Sequence, residues 1–407
     1  MAAWILIILT VTLIISLKLL IPKLKPNLPP GPSTIAFFAK NVVFQKKSIY
    51  QLEQLLINLH TIYGPVISLH TLPNPTIFVQ DRNIAHQALV QHGAVLADRP
   101  PSKEPMLYLT CNSHDISSSS YGPVWRRLRR NLTSEMLHQS HIKQLGPTRR
   151  WAVGVLLNQL GDCGGLIKEK FNIAMFSLLL AMCFGEKLDE KQIEEIKVIQ
   201  YSLILIFTRF NPFAVLPGIT KVLFRKKWNQ IVGMRRRQAE VFVPLIRARR
   251  EQKKLGGNKG GFLPYCYVDS LLDIEIPEEG GRKLREDEIV NLCHEFLAAG
   301  TDTTSTSLEW IMAEVVKQQD VQQKLVEEIA RVLHVGEEIK EEDLQKMPYL
   351  KAVIMEGLRR HPPGHFLLPH RATEDVNLHG YLIPKGSEVH INVAQLGWDA
   401  KVWEDPM

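Results

Sequence analysis

The chain has 407 residues, 45% hydrophobic and 22% charged, which supplies ample core material and excludes a disordered, collagen-like or small disulfide-stapled protein. Its 49 Lys and Arg against 42 Asp and Glu leave a formal charge of +7, a basic excess that suits an anionic membrane or an acidic partner without singling out nucleic acid. The 5 cysteines, Cys111, Cys163, Cys183, Cys266 and Cys293, form no C-x-x-C pair, so neither a disulfide framework nor a zinc site is indicated and buried thiols are expected.

Residues 1–21 are apolar apart from small hydroxyl residues and Lys18, and they approach the roughly 20 residues needed to span a bilayer. No positive charge precedes this run and no small-residue cleavage site follows it, which argues against a cleaved leader. Lys18, Lys23 and Lys25 close it instead. A single transmembrane anchor with the downstream body in the cytosol is therefore predicted. Residues 22–33 contain Leu28-Pro-Pro-Gly-Pro-Ser33, which cannot continue a helix and reads as a stiff hinge before a body spanning 34–407.

Within the body, Val66–His70 and Thr76–Val79 flank Leu72-Pro-Asn-Pro75 and predict a hairpin. Gly122-Pro123 opens a basic helix at Val124. The apolar stretch Ile204–Leu223 is broken at Asn211-Pro212 and Pro217-Gly218, then Arg225–Lys254 reads as a basic helix. Gly256–Gly261 reads as a loop, Glu286–Lys317 as a long helix followed by charged helices to Arg360, and Val376–Val393 as strand. The expected class is a mainly α, α+β body with small β-sheets.

Phosphate-loop, dinucleotide-fold, zincin and esterase signatures are all absent from the sequence. Asn131-Leu-Thr133 matches a glycosylation triplet but falls in a basic helix expected to be cytosolic. Three constellations remain. Phe296–Thr306 places Gly300, Asp302 and a run of hydroxyls inside a long helix, a locally costly choice that makes sense either where a ligand needs room or where two helices cross closely. Glu356 and Arg359 share a helical face just before His361-Pro-Pro363, as an ordinary surface pair would. Trp125 and Arg129 set an indole donor and a guanidinium at i,i+4, a donor pair for a carboxylate or phosphate or simply a solvated basic helix, while Arg126, Arg127 and Arg130 turn elsewhere.

Taken in order, the anchor, the hinge, Tyr121-Gly-x-x-Trp-Arg-x-Leu-Arg-Arg130, Ala299-Gly-Thr-Asp-Thr-Thr304, Glu356-x-x-Arg359 and Trp403-x-Asp-Pro406 closely resemble the microsomal cytochrome P-450 family, plant-type members above all. The resemblance implies a cytochrome P-450 fold and a haem b monooxygenase of the endoplasmic reticulum membrane. Such an enzyme inserts one atom of O2 into a small hydrophobic substrate with electrons from NADPH, delivered by a cytochrome P-450 reductase. It further implies Thr303, with Asp302 beside it, as the residues of proton delivery, and Ala299 and Gly300 as the space over the haem. Trp125, Arg129, His370 and Arg99 become propionate ligands, Glu356 and Arg359 structural residues behind the haem, and Phe207–Leu223 the membrane-facing roof.

The family places its iron-ligating cysteine in a Phe-x-x-Gly-x-x-x-Cys-x-Gly loop, and no cysteine here has that context. Cys293 lies N-terminal of Thr303 on the wrong side of the expected haem plane. The sequence thus reads as a member incomplete at the C-terminus, with no metal ligand of its own. A rival reading is an inactive membrane-tethered helical protein that binds at most an apolar ligand or a partner.

Overall fold

The computed structural model describes residues 27–32, 49–69, 74–161, 164–208, 211–214, 216–255, 262–334 and 336–407. The expected anchor, half of the hinge, the turn residues Leu72 and Pro73, Cys163 and the 256–261 loop lie outside them.

In chain order the principal elements are α1 (Ile49–Tyr63), β1 (Val66–Leu69), β2 (Thr76–Val79), α2 (Pro123–Asn131), α3 (Gly146–Gly161), α4 (Ile167–Phe184), α5 (Glu190–Thr208) and α6 (Pro217–Leu223). They continue with α7 (Arg225–Lys254), α8 (Tyr267–Asp273), β3 (Glu275–Ile276), β4 (Arg282–Lys283), α9 (Glu286–Lys317), α10 (Gln319–Val332) and α11 (Pro348–Arg360). Strands β5 (His370–Arg371), β6 (Val376–Leu378), β7 (Tyr381–Ile383) and β8 (Glu388–Ile391) follow. These elements form two compact units, residues 1–100 with 366–396 and residues 101–365 with 397–407.

The first unit is built on a sheet ordered β1-β2-β8-β5. The predicted hairpin is present, β1 running antiparallel to β2 with Val66 opposite Val79. Both strands are buried along their whole length, which suits runs of β-branched and aromatic residues rather than an alternating pattern. Local patterning suggests separate sheets near the two ends of the body. Instead β8 joins β2 in parallel, so residues from both ends share one sheet over a core of Val66, Ile77, Val79, Ile84, Leu96, Val389 and Ile391.

The second unit is helical. Helix α7 has the predicted bounds and carries Pro244 in its interior. Its buried residues, Ile231, Arg235, Gln238, Phe242, Ile246 and Arg249, recur every three or four positions and trace one inward stripe, leaving most of its cations in solvent. Helix α9 also has the predicted bounds. Glu286, Asp287 and Glu288 in its first turn and Lys317 in its last complement the helix dipole. The wholly buried Glu288 carboxylate returns to the Arg285 N–H at 2.8 Å and pairs with Arg282 at 2.8 Å.

Helix α4 lies against α9 in a core that includes Phe176, Leu180, Phe184, Phe242, Ile289, Leu292 and Leu297. It ends where Gly185 takes a φ of 78°. A Cβ there would meet Arg249 Nη1 at 2.8 Å, so only glycine serves.

Candidate active site

The hydroxyl run of α9 folds back on its own helix. Thr301 donates to Leu297 O at 2.7 Å, Thr303 to Ala299 O at 2.7 Å, Ser305 to Thr301 O at 2.8 Å and Ser307 to Thr303 O at 2.8 Å. Such i−4 bonds satisfy the hydroxyls without a partner outside the helix. Thr301 and Ser305 are buried, whereas Ala299 and Thr303, one turn apart, are exposed on the same face.

Gly300 has a different reason for being small than the space over a haem expected of it. A Cβ at that position would meet Leu179 Cδ1 of α4 at 2.8 Å, so the glycine makes room for a helix crossing. Of the two neighbours, Ala299 alone keeps the expected open aspect. Asp302 also departs from expectation. Its Oδ1 accepts from Asn172 Nδ2 at 3.1 Å and from the Tyr201 hydroxyl at 3.1 Å, so the carboxylate ties α9 to α4 and α5. A residue directly after Thr301 and before Thr303 is rotated by about 100° from each, and here that rotation directs it into the helix packing. Burial, with Asp302 next to it, pushes the Tyr201 phenol up to about 12.

Ala298 and Ala299 help to line a cavity of about 170 Å³, together with Met106, Leu109, Leu203, Asp115, Ser117, Arg235, Asn291, His294 and Glu295. The loop at one side of this cavity is pinned from two helices. Glu295 of α9 accepts from Ile116 N at 3.0 Å and Ser117 N at 2.6 Å, and Trp125 Nε1 of α2 donates to Ile116 O at 2.9 Å. Burial and the nearby Asp115 push the Glu295 carboxyl up to about 7. Arg235 of α7 donates to Asp287 O at 2.7 Å and to Gln238 Oε1. Glu295, His294 and Arg235 escaped the sequence analysis; for the first two the available signal was their i,i+4 spacing to Ala299 and Ala298 on α9.

The bond to Ile116 corrects the reading of Trp125 as a free anion donor. An indole has one N–H, and the 115–119 loop takes it. Arg129, on the next turn, is exposed and has no side-chain partner among the described residues. The basic residues Arg126, Arg127 and Arg130 are exposed beside it.

In the first unit, Arg99 and His370 are brought together but are likewise engaged. Arg99 Nη1 donates to Leu368 O at 3.2 Å and Pro369 O at 2.9 Å, and His370 Nδ1 donates to Leu96 O at 2.6 Å. Burial lowers both the Arg99 and the His370 pKa. One histidine nitrogen and the rest of the guanidinium remain for a ligand.

Glu356 and Arg359 pair at 2.7 Å, which lowers the carboxyl and raises the guanidinium pKa. Arg359 also donates to Gly397 O at 2.5 Å and Pro406 O at 2.9 Å and lies 4.6 Å over the Trp403 ring. Its role is to hold residues 397–406, which is more than the surface pair expected from spacing alone.

The body is helix-rich with small sheets, and its longest helix turns a small residue and an exposed hydroxyl toward one face. The Cytochrome P450 family profile matches residues 29–407, and the chain belongs to that family. It is 43% identical to cytochrome P450 89A9 of Arabidopsis thaliana, the match covering 99% of this chain and 80% of the relative. It is 29% identical to cytochrome P450 98A2 of Glycine max, over 85% of this chain and 69% of that one. A zebrafish cytochrome P450 solved with progesterone shares the fold with a TM-score of 0.73 at 24% identity, over 87% of this chain and 81% of that one. The class of the chain is therefore haem-dependent monooxygenase, an oxidoreductase.

The described residues fit a haem on one side. Ala299 leaves room, Thr303 offers a hydroxyl, and Arg129 is an uncommitted cation for a propionate. They do not fit as the axial ligand. Cys111, Cys183, Cys266 and Cys293 are all buried. Burial raises the thiols of Cys111, Cys183 and Cys266, Cys111 to about 11, so these sulfurs stay protonated.

Proposed function

We propose that this chain, once an axial thiolate is supplied, inserts one oxygen atom into a small hydrophobic substrate, using electrons that originate in NADPH and arrive through a flavoprotein reductase. The carrying observation is the α9 face on which Ala299 borders the 170 Å³ cavity and Thr303 follows one turn later. Haem, when bound, supplies the oxygen-activating iron.

The chain's own residues would position and protonate. Thr303 Oγ1 gives its proton to the Ala299 carbonyl and keeps its lone pairs for an incoming donor, so a small hydroxyl rotation converts it from acceptor to donor. Asp302 contributes by position, its bonds to Asn172 and Tyr201 fixing the rotation of α9 about its axis and hence where Thr303 points. The apolar lining residues Met106, Leu109 and Leu203 exclude water from the cavity. Arg129, Arg99 and His370 are the propionate candidates. Trp125 holds the 115–119 loop.

The exposed cations Arg126, Arg127 and Arg130 suit an acidic reductase surface. No helix among the described residues is long and apolar enough to cross a membrane. Attachment to the endoplasmic reticulum rests on the apolar sequence 1–21, and a membrane-facing aspect on exposed Ile219, Val222 and Leu223 of α6 with Arg225, Lys226 and Lys227 directly after them. In a reductase-supported assay of a chain supplied with the family's Phe-x-x-Gly-x-x-x-Cys-x-Gly loop, Thr303→Ala is expected to consume oxygen with little product. Coupling equal to that of the unaltered chain would remove Thr303 from the chemistry.

A further inference from the structure

Most polar side chains around the 170 Å³ cavity are already spent. Glu295 takes the N–H groups of Ile116 and Ser117, and the Ser117 hydroxyl is turned onto it. Asp115 accepts from Ser118 N at 2.8 Å and Ser119 N at 3.1 Å. Arg235 is held by Asp287 O, Cys111 Sγ and Gln238, and Thr110 by Met106 O. Gln238 also lines the cavity, and its amide nitrogen has no partner among the described residues although the residue is 0% exposed.

His294 is different. It is half-buried and borders the cavity, and its ring is locked by Gln200 of α5. Gln200 Nε2 donates to the His294 main-chain oxygen at 3.4 Å, which turns Gln200 Oε1 onto His294 Nδ1. An oxygen acceptor there requires the proton on Nδ1, so in the neutral ring Nε2 is left as a bare lone pair. Burial, with Arg235 nearby, lowers the imidazole to about 4, keeping it neutral in ordinary buffers. Nε2 has no partner among the described residues.

We propose that His294 Nε2 accepts a hydrogen bond from a hydroxyl or N–H on an otherwise apolar substrate, making His294 a specificity-determining residue of this chamber. The inference rests on the reading of α9 as a substrate wall and gives that substrate a chemical class: an apolar skeleton with one donor. His294 lies nine positions before Thr303, roughly 13 Å along the helix axis, so the donor end is held remote from the Thr303 hydroxyl.

The test uses the full chain with two probes of nearly equal shape, para-ethylphenol and its O-methylated counterpart para-ethylanisole. The phenol is expected to bind about tenfold more tightly, and His294→Phe is expected to abolish that preference while keeping anisole affinity. Histidine nitrogen NMR on the unaltered chain gives a second readout. His294 should show a protonated Nδ1 and an unprotonated Nε2, the latter shifting upon addition of phenol and not of anisole. Equal affinity for both probes, or a proton found on Nε2, would overturn the proposal. Haemin binding, measured on the same samples, tests the oxygenase reading separately: haemin bound by an unaltered chain that takes phenol and anisole equally well would overturn only the assignment of His294.

Discussion

Ser117 gives both its main-chain N–H and its hydroxyl to one carboxylate oxygen of Glu295, so a helix and the loop facing it are joined through a single acid. Burial beside Asp115 raises that acid from 4.5 to about 7. The folded state therefore binds a proton more tightly than the unfolded chain does. Stability from this group is complete below the unfolded value and is lost as pH rises through the folded one. From about pH 5 to about pH 8 this site should cost on the order of 2–3 kcal/mol. Urea midpoints across that range should fall for the unaltered chain and fall less for Glu295→Gln. Equal slopes would show that Glu295 does not titrate there.

Trp125→Phe removes the donor to Ile116 O and leaves a carbonyl unmet, with an expected loss of about 1–3 kcal/mol. Amide exchange in residues 115–119 should quicken. Arg129→Ala, at an exposed side chain without partners among the described residues, should stay within about 0.5 kcal/mol. If both substitutions destabilise alike, the division of labour between indole and guanidinium is wrong.

Gly300→Val should cost about 1–3 kcal/mol, because its side chain must displace Leu179. Thermal unfolding measures this, and a neutral result would mean that α4 and α9 are less closely apposed than the structure has them.

Arg359→Ala breaks the bonds to Gly397 O and Pro406 O and bares the Trp403 ring. Limited proteolysis is expected to cut residues 397–407 faster in the variant. An unchanged rate would show that Arg359 does not hold this segment.

The sequence shows elements whose identity is local. Helices α7 and α9 were legible from long periodic runs with charged ends, and the β1–β2 hairpin from two β-type runs about a Pro-rich turn. The parallel union of β2 with β8 was not, because pairing between distant segments leaves no local pattern. At the site, the sequence shows the unusual hydroxyl run of α9, in which the proposed roles of Ala299 and Thr303 lie. Gly300 and Asp302 were misjudged in role because spacing does not tell which face of a helix meets a neighbour. Glu295, His294 and Arg235 went unnoticed because a buried polar residue acquires its meaning from partners on other elements, here Ser117, Gln200 and Asp287.

A haem-thiolate spectrum is not expected of this chain. Reduced, carbon-monoxide-treated samples should lack the thiolate-type Soret band, since the four described cysteines are buried and the thiols of Cys111, Cys183 and Cys266 are raised. Its presence would promote one of the chain's cysteines to iron ligand.

The most direct measurement is a haemin titration of the full chain, followed by tryptophan quenching, with and without Ala299→Trp. If the Ala299–Thr303 face of α9 encloses the cofactor, the unaltered chain saturates at one equivalent and the bulky substitution weakens binding by about tenfold or more. Identical titration curves would contradict the assignment of that face.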